Sequence, residues 1–340
     1  MNLPRLAAGL ALLVVGGCST YEAGEVRTSV ADAGDGRIYF ASADPYDFRD
    51  ALDGDADRIV VHGDLSLPET SGGRVPAVVL VHGNGGVTGH QRDYAESLND
   101  LGYAVFVVDS YTPRDVRSLT RAHVDVTEQM MLADAYAALR LLRTHDRIAP
   151  DRIGVVGWSK GGIVALFAMV DRLAGYLSAN GERFAFAAAY YPYCGVELGA
   201  DDRLAGPVLM LLGERDDYTP SATCVAMAES LTDRGEPIDH LVLPDAHHAF
   251  DRLGSRVGFG AWRVTIRDAS PRCMLMVGPD GVTRTVDGRR DISSFFRRVD
   301  FLKTCAVKGA HAGGNAAAKS RAWRALVEFL HRQAPARRPA

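Results

Sequence analysis

The apolar run Ile153–Val156 leads into Gly157-Trp158-Ser159-Lys160-Gly161-Gly162 and then into a helical stretch, Gly162–Val170. Few sequence features constrain a fold as tightly. A serine in a sharp strand-to-helix turn needs glycines around it, because side chains there would collide with neighbouring elements. The turn also asks for a strand buried on both faces and a helix that returns across the sheet. Its hydroxyl then stands at the carboxyl end of a mainly parallel sheet, beside a helix N-terminus.

The rest of the chain has the alternation this turn demands. Ala77–Val81 and Ala104–Val108 are continuous apolar runs, as doubly buried strands should be. Arg37–Ala41, Arg58–His62 with Asp64–Pro68, Phe184–Tyr190, Val208–Leu212 and Leu241–Leu243 supply further strands. Between them lie Gln91–Leu101, ending at Gly102, and the stripe Leu132, Ala135, Tyr136, Leu139 and Leu142. A further helix spans about Ser221 to Thr232. The fold class is therefore α/β, a mainly parallel sheet flanked by helices with right-handed crossovers. Residues 37–333 read as one domain, with an insertion over about 251–310 whose periodicity is weak. A closing helix follows, marked by Trp323, Leu326, Val327 and Leu330, and residues 334–340 form a tail.

Composition narrows the function. The 340 residues carry 38 Lys+Arg against 42 Asp+Glu, so no basic field for nucleic acid exists. With 47% hydrophobic residues the chain is not a disordered one. The N-terminus reads as an address. Met1–Arg5 carries one positive charge, Leu6–Val15 is a ten-residue apolar run too short to span a bilayer, and Gly16-Gly17 lead into Cys18. Val15-Gly16-Gly17-Cys18 resembles a bacterial lipobox, so Cys18 is the expected lipidation site; the alternative is an ordinary cleaved signal peptide. Ser19 after the cysteine favours the outer membrane, and residues 19–36 read as a tether. The membrane is then met through a lipid alone.

A serine hydroxyl needs a base, and the base needs a group to orient it. The strand Val208–Leu212 ends in a loop holding Asp216 and Asp217, and Leu241–Leu243 ends in a loop holding His247 and His248. These loops arrive where such a fold puts its acid and base, in the chain order Ser, acid, His. Asp216, three residues after Gly213, is the expected acid, with Asp217 as runner-up. His248 is the expected base, with His247 as the alternative. Paired histidines could suggest a metal, but the sequence offers no further histidine or carboxylate to complete a site. Neither metal nor cofactor is expected. The loop His82-Gly83-Asn84-Gly85-Gly86 after Ala77–Val81 is placed to stabilise an oxyanion, through Asn84 (or Gly85) together with the Lys160 backbone. His82 is expected to brace that loop. His62-Gly63 looks similar but continues into a strand instead of a helix.

With Ser159 in its turn, Asp216 after Gly213-Glu214 and His248-Ala249-Phe250, the chain resembles the dienelactone hydrolase family of α/β-hydrolases. Asp109-Ser110-Tyr111-Thr112-Pro113-Arg114 and Tyr191-Pro192 add to the resemblance, which spans roughly Asp64 to Phe250 plus the closing helix. It differs in its serine nucleophile, where the founding enzymes use cysteine, in its export address and in its long insertion. The resemblance implies an α/β-hydrolase fold and hydrolysis of a carboxylic ester or lactone through an acyl-enzyme, with a small-molecule substrate. It further implies that Arg114, Arg252 and Tyr111 contact the substrate, the arginines by clamping a carboxylate. Two alternatives stand beside this reading. A serine peptidase or amidase would share the triad, and a non-catalytic lipoprotein could retain the fold.

Four cysteines remain, Cys194, Cys224, Cys273 and Cys305. They allow three pairings. Cys194 and Cys224 follow strands expected to be neighbours in the sheet, which favours Cys194–Cys224 and leaves Cys273–Cys305. Both would need an oxidising compartment.

Overall fold

A computed structural model describes residues 21–336, apart from 70–72, 117, 120 and 179. The address at Met1–Val15, Cys18 and Ser19 lies outside the described residues. The body runs β1 (Gly36–Asp44), α1 (Phe48–Asp53), β2 (Asp57–Ser66), β3 (Val75–Val81), α2 (Gly89–Asn99), β4 (Ala104–Asp109), α3 (Ala122–Asp125), α4 (Glu128–Leu142), β5 (Ile148–Trp158), α5 (Lys160–Phe167), α6 (Asp171–Leu177), β6 (Ala187–Tyr190), β7 (Val196–Glu197), β8 (Val208–Gly213), α7 (Ser221–Asp233) and β9 (Ile238–Leu243). The insertion adds β10 (Gly258–Ile266), β11 (Leu275–Val277), β12 (Thr283–Thr285), α8 (Phe295–Cys305) and β13 (Ala306–Ala312), and α9 (Ala316–Gln333) closes the chain.

Eight strands form the main sheet in the order β1-β2-β4-β3-β5-β6-β8-β9. The pairs β1–β2 and β2–β4 are antiparallel and the rest parallel. Side chains that alternate along each strand divide between two cores. Val79, Val81, Phe106, Val155 and Met210 join α4 and α5 on one side. Their sequence neighbours Val78, Leu80, Val105, Val156 and Leu209 join α2 and α9 on the other. Continuous apolar runs are what two buried faces require. None of the described helices is long and apolar enough to cross a membrane.

Two expectations about the ends need correction. Residues from Tyr21 onward do not hang as a tether. Arg27 donates to the Tyr39 carbonyl at 2.7 Å, Val30 is fully buried, and Asp146 donates to the Ala31 carbonyl at 3.0 Å. Val30 supplies apolar area that a free linker would expose, so the segment packs. At the other end, Ala334 is buried and its carbonyl accepts from Tyr103 Oη at 2.9 Å, so the tail begins in contact with the body.

The insertion is ordered structure. β10 and β13 pair antiparallel, while β11 lies between β12 and β7. Through β7 it annexes a two-residue strand from the body, so the two cannot separate freely. Polar contacts from Asp47 and Glu128 help to dock it. Asp47, which caps α1, also accepts from the Thr283 backbone at 2.7 Å and from the Thr283 hydroxyl. Glu128, at the start of α4, pairs with Arg298 of α8 and lies 4.0 Å from Lys160 Nζ. Burial alone would raise the Glu128 carboxyl, but the charges of Arg298 and Lys160 outweigh it and hold it near 2.

Both expected disulfides are present, Cys194–Cys224 with 5.0 Å between Cα atoms and Cys273–Cys305 with 5.5 Å. They bridge 30 and 32 residues, and loops of that size are worth about 3–4 kcal/mol each in the chain-entropy model. Replacing Cys194 and Cys224 by serine should cost that much in denaturant unfolding. The Glu128 pairing has a pH signature. A carboxyl near 2 when folded and near its ordinary 4.5 when unfolded stabilises the fold fully above pH 4.5 and loses that contribution as pH falls toward 2. In Glu128→Gln that part of the acid slope should vanish. Stability at pH 7 should drop by about 3–5 kcal/mol, because two buried cations lose their counter-charge. Thermal melts across pH 2–7 measure both.

Candidate active site

At the end of β5 the chain turns through Ser159 with φ +55° and ψ −113°, then enters α5. That conformation is costly for a residue with a Cβ and persists only where its surroundings enforce it. The glycines make the turn sterically open. A Cβ at Gly157 would stand 1.9 Å from the Gly161 carbonyl oxygen, and one at Gly161 would stand 2.2 Å from the Val81 carbonyl oxygen. The Ser159 N–H donates to the Tyr190 carbonyl at 2.9 Å, pinning the turn to the end of β6.

The expected acid and base meet this serine. His248 Nε2 lies 2.9 Å from Ser159 Oγ, and His248 Nδ1 lies 2.8 Å from Asp216 Oδ2. The other carboxylate oxygen of Asp216 accepts from the Tyr218 and Thr219 N–H groups, both at 2.8 Å. Tyr191 and Tyr218 flank the His248 ring, each with its centroid 4.6 Å away. Two more non-glycine residues at positive φ, Tyr191 at +37° and Ala249 at +57°, stand in the loops that hold the imidazole. Asp216 and His248 are buried, so neither is shared with bulk water.

The runners-up have other positions. Asp217 points away from His248 and accepts from the His311 backbone at 2.7 Å and from His311 Nδ1 at 2.9 Å. The His247 ring lies beside that of His311, tilted by 40° with centroids 5.4 Å apart. The sequence-based expectation that nothing could join the paired histidines therefore fails. Strand β13 brings His311 beside His247 and Asp217, from a stretch whose strand character the sequence did not reveal.

On the opposite side of Ser159, the loop after β3 is braced as expected. His82 Nε2 accepts from the Ser110 N–H at 3.2 Å and Nδ1 donates to the Gly83 carbonyl at 2.7 Å. Burial lowers the pKa of this ring, which suits the neutral tautomer those two bonds require. Asn84 Nδ2 donates to the Leu119 carbonyl at 2.7 Å. Among the described residues, nothing accepts from the backbone N–H of Asn84 or of Lys160. Asn84, Ser159 and Lys160 line one cavity of about 120 Å³. The Lys160 side chain points inward, its Nζ held by the Ala122 and Val126 carbonyls. Burial, countered in part by Glu128, pulls its ammonium down to about 8.

Of the arginines expected at the substrate, Arg114 needs a second correction. Arg114 is buried and spent. It lies 2.7 Å from Asp44 and 2.7 Å from Asp134, and donates to the Ser110 carbonyl at 2.8 Å. Two carboxylates saturate its fork and leave nothing for a ligand. Tyr111 lies under the loop, donating through its hydroxyl to Asn84 Oδ1 at 3.1 Å, and is absent from the cavity wall. Arg252 is exposed and likewise absent from that wall. The guanidinium that does line the cavity is Arg298, from α8 of the insertion. The insertion also supplies Val277, Ile292, Phe301 and Leu302, so it forms an apolar wall facing Ser159. A helical signal existed, since Arg298, Phe301, Leu302 and Cys305 fall at i, i+3, i+4 and i+7.

Asp251 was also missed. It is fully buried, and its two oxygens receive four side chains: Tyr191 Oη at 2.6 Å, Tyr94 Oη at 2.8 Å, Trp158 Nε1 at 2.9 Å and His90 Nε2 at 3.0 Å. Burial pushes its carboxyl up, but these bonds, with that from His90 foremost, hold it below the usual range. Trp158 precedes Ser159, Tyr191 flanks His248, and Asp251 itself follows the base loop. One carboxylate thus joins the elements that carry Ser159 and His248. Its donors are spread from residue 90 to residue 191, so no local motif announces it.

Comparison with known proteins agrees with this architecture. The profile of the dienelactone hydrolase family matches residues 61–266. A protein of Methylorubrum extorquens, provisionally named a carboxymethylenebutenolidase, is 30% identical over 53% of this chain and 64% of its own length. The chain thus spans just under two thirds of that relative. A Bradyrhizobium protein, provisionally named a 2-oxo-3-(5-oxofuran-2-ylidene)propanoate lactonase, is 22% identical over 52% of this chain and 74% of its own. Among solved structures, m3DLH superposes with a TM-score of 0.55 at 17% identity, covering 88% of this chain and 99% of that one. A dienelactone hydrolase-like promiscuous phosphotriesterase from metagenomic libraries gives 0.52 at 18% identity, with the same coverage of 88% and 99%. These likenesses carry the fold alone. With its mostly parallel sheet, its serine turn and a family match over more than half its length, the chain belongs to the dienelactone hydrolase family.

Proposed function

We propose that this protein is a serine hydrolase that cleaves a carboxylic ester or lactone through an acyl-enzyme. The observation that carries the reading is His248, whose two ring nitrogens lie 2.9 Å from Ser159 Oγ and 2.8 Å from Asp216 Oδ2. Ser159 Oγ attacks the carbonyl carbon while its proton passes to His248 Nε2. Asp216 holds the ring with Nδ1–H inward and stabilises the imidazolium that forms. The unspent N–H groups of Lys160 and Asn84 receive the oxyanion, with the start of α5 adding its partial positive charge. His248 then gives its proton to the departing alkoxide. Water, deprotonated by the same ring, releases the acid in the second half.

The cavity supports a substrate whose acyl part is largely apolar, since Val277, Ile292, Phe301 and Leu302 line it. Glu128, Lys160 and Arg298 give its polar end a net positive charge, while burial lowers His123 to about 4 and keeps that ring neutral. The export reading belongs to the same proposal. Cys18 would carry the lipid, and the two disulfides suit an oxidising compartment.

Hydrolysis of p-nitrophenyl esters tests the scheme. Ser159→Ala and His248→Ala should each lower kcat by on the order of a millionfold, and the double variant little further, because the residues act as a unit. Asp216→Asn should cost about ten-thousandfold, while Asp217→Asn should stay far milder. Labelling by an organophosphate at any residue other than Ser159 would refute the assignment. Turnover of peptide amides in preference to esters would favour the peptidase alternative.

Asp251 should act as a positioning residue. Asp251→Ala should lower kcat by about 10–100-fold with KM nearly unchanged, since it lets nucleophile and base drift without touching the cavity. Asp251→Asn, which still accepts at one oxygen, should recover part of the loss. A rise in KM with kcat intact would reject that role.

A further inference from the structure

We propose that Asp217, His247 and His311 form a binding site for a divalent transition-metal ion, with Zn²⁺ the occupant best matched to its donors. Each residue offers one ligand atom, and these atoms lie within 4.8 Å of one another. Two imidazole nitrogens and one carboxylate oxygen make a borderline donor set of the kind zinc takes, with room for water in a fourth position. A second, independent feature points the same way. His247 Nδ1 is buried and has no hydrogen-bond partner among the described residues. Buried polar atoms are normally satisfied, and a histidine of this group that keeps an unpartnered ring nitrogen has a lone pair or proton still to place, as a cation ligand would.

The geometry requires modest closure. Bonds of about 2.0–2.2 Å place tetrahedral ligand atoms about 3.4 Å apart, so a pair at the 4.8 Å limit must approach by about 1.4 Å. His311 and Asp217 have side chains 43% and 37% exposed, which leaves them free to adjust. On binding, the bond between His311 Nδ1 and Asp217 Oδ2, 2.9 Å in the structure, gives way as the ring proton moves to Nε2. Arg267 is the repulsive neighbour. Its Nη2 lies 3.6 Å from Asp217 Oδ2, but the guanidinium is engaged by the Asp217 and Gly309 carbonyls and does not cover the carboxylate. Phe259 covers His311 from one side, with ring centroids 5.2 Å apart.

The position gives the site its interest. Asp217 follows the acid, His247 precedes the base, and His311 stands on β13 of the insertion. The same strand end already meets the base loop, where Gly313 donates to the His248 carbonyl at 2.9 Å. An ion there would fasten the cavity wall to both catalytic loops at once.

The test uses the full chain, stripped with a chelator and titrated with Zn²⁺ by calorimetry and with Co²⁺ by visible absorbance. One ion per chain should bind at about micromolar Kd or tighter, with a tetrahedral Co²⁺ band. Zn²⁺ should also raise Tm, because only the folded chain gathers the three ligands. His247→Ala and His311→Ala, each verified as folded by circular dichroism, should weaken binding by at least about 100-fold. His240→Ala, on the exposed face of β9, should bind as the parent does. No uptake of either ion by the parent chain at 100 µM overturns the proposal (that concentration being about a hundredfold over the expected Kd). Unchanged affinity in both histidine variants, or in Asp217→Asn, overturns it equally.

Discussion

The constraint on which the rest depends is the backbone at Ser159. A non-glycine residue at φ +55° is tolerated because α5 starts hard against the end of β3, with only hydrogen on Gly161 to separate it from the Val81 carbonyl. Once that contact is made, the order of strands follows. β5 must lie beside β3, and β6 must reach far enough for Tyr190 to accept from the Ser159 N–H. The loop after β3, braced by His82, is carried to the serine by the same packing, and Asn84 lines the cavity there. A substitution at Gly161 would therefore act on catalysis through the sheet and not through any lost contact with substrate.

Around this turn, charge is handled in two different ways. Asp251 is a lone buried carboxylate stabilised by four donors and no arginine, which makes it directional: each donor sets the position of one element. Glu128, Lys160 and Arg298 form the opposite arrangement, a cluster in which attraction offsets desolvation and the geometry is looser. The first stands behind the triad, where fixed geometry matters. The second lines the cavity and ties the insertion to α4, where a charged group can face a ligand. Arg114 belongs with neither, since Asp44 and Asp134 neutralise it inside the body.

What could be read from the sequence divides along physical lines. The sheet was legible because strands buried on both faces leave unbroken apolar runs, and the meeting of Ser159, Asp216 and His248 because each stands in a loop that ends such a run. The cysteine pairing was legible for the same reason, since neighbouring strands bring their carboxyl ends together. The insertion was not. Its strand β11 pairs with β7, so Leu275 meets Val196 across nearly eighty residues, and neither two-residue nor three-residue segments carry a period. The resemblance located Arg114 correctly in the chain but could not reveal Asp44 and Asp134, which come from β1 and α4. Residues 21–36 were misjudged because small polar residues resemble a linker unless Val30 is seen to fill a core position.

The doubled residues make the sharpest case. Asp216-Asp217 and His247-His248 left acid and base ambiguous because both members of each pair are used. In each loop the two consecutive side chains point to different sides. One member of each pair joins the hydrogen-bonded line from Asp216 through His248 to Ser159, and the other faces β13 and meets His311. Whatever shifts β13 must move Asp217 and His247, and through one peptide each it must move Asp216 and His248. The side-chain bonds that Thr265 Oγ1 of β10 donates to the Tyr218 carbonyl and Arg267 Nε, just after it, donates to the Asp217 carbonyl extend that coupling to β10. The insertion is thus linked to Asp216 and His248 by the loops that carry them, and the wall of the cavity and the orientation of the imidazole are set together.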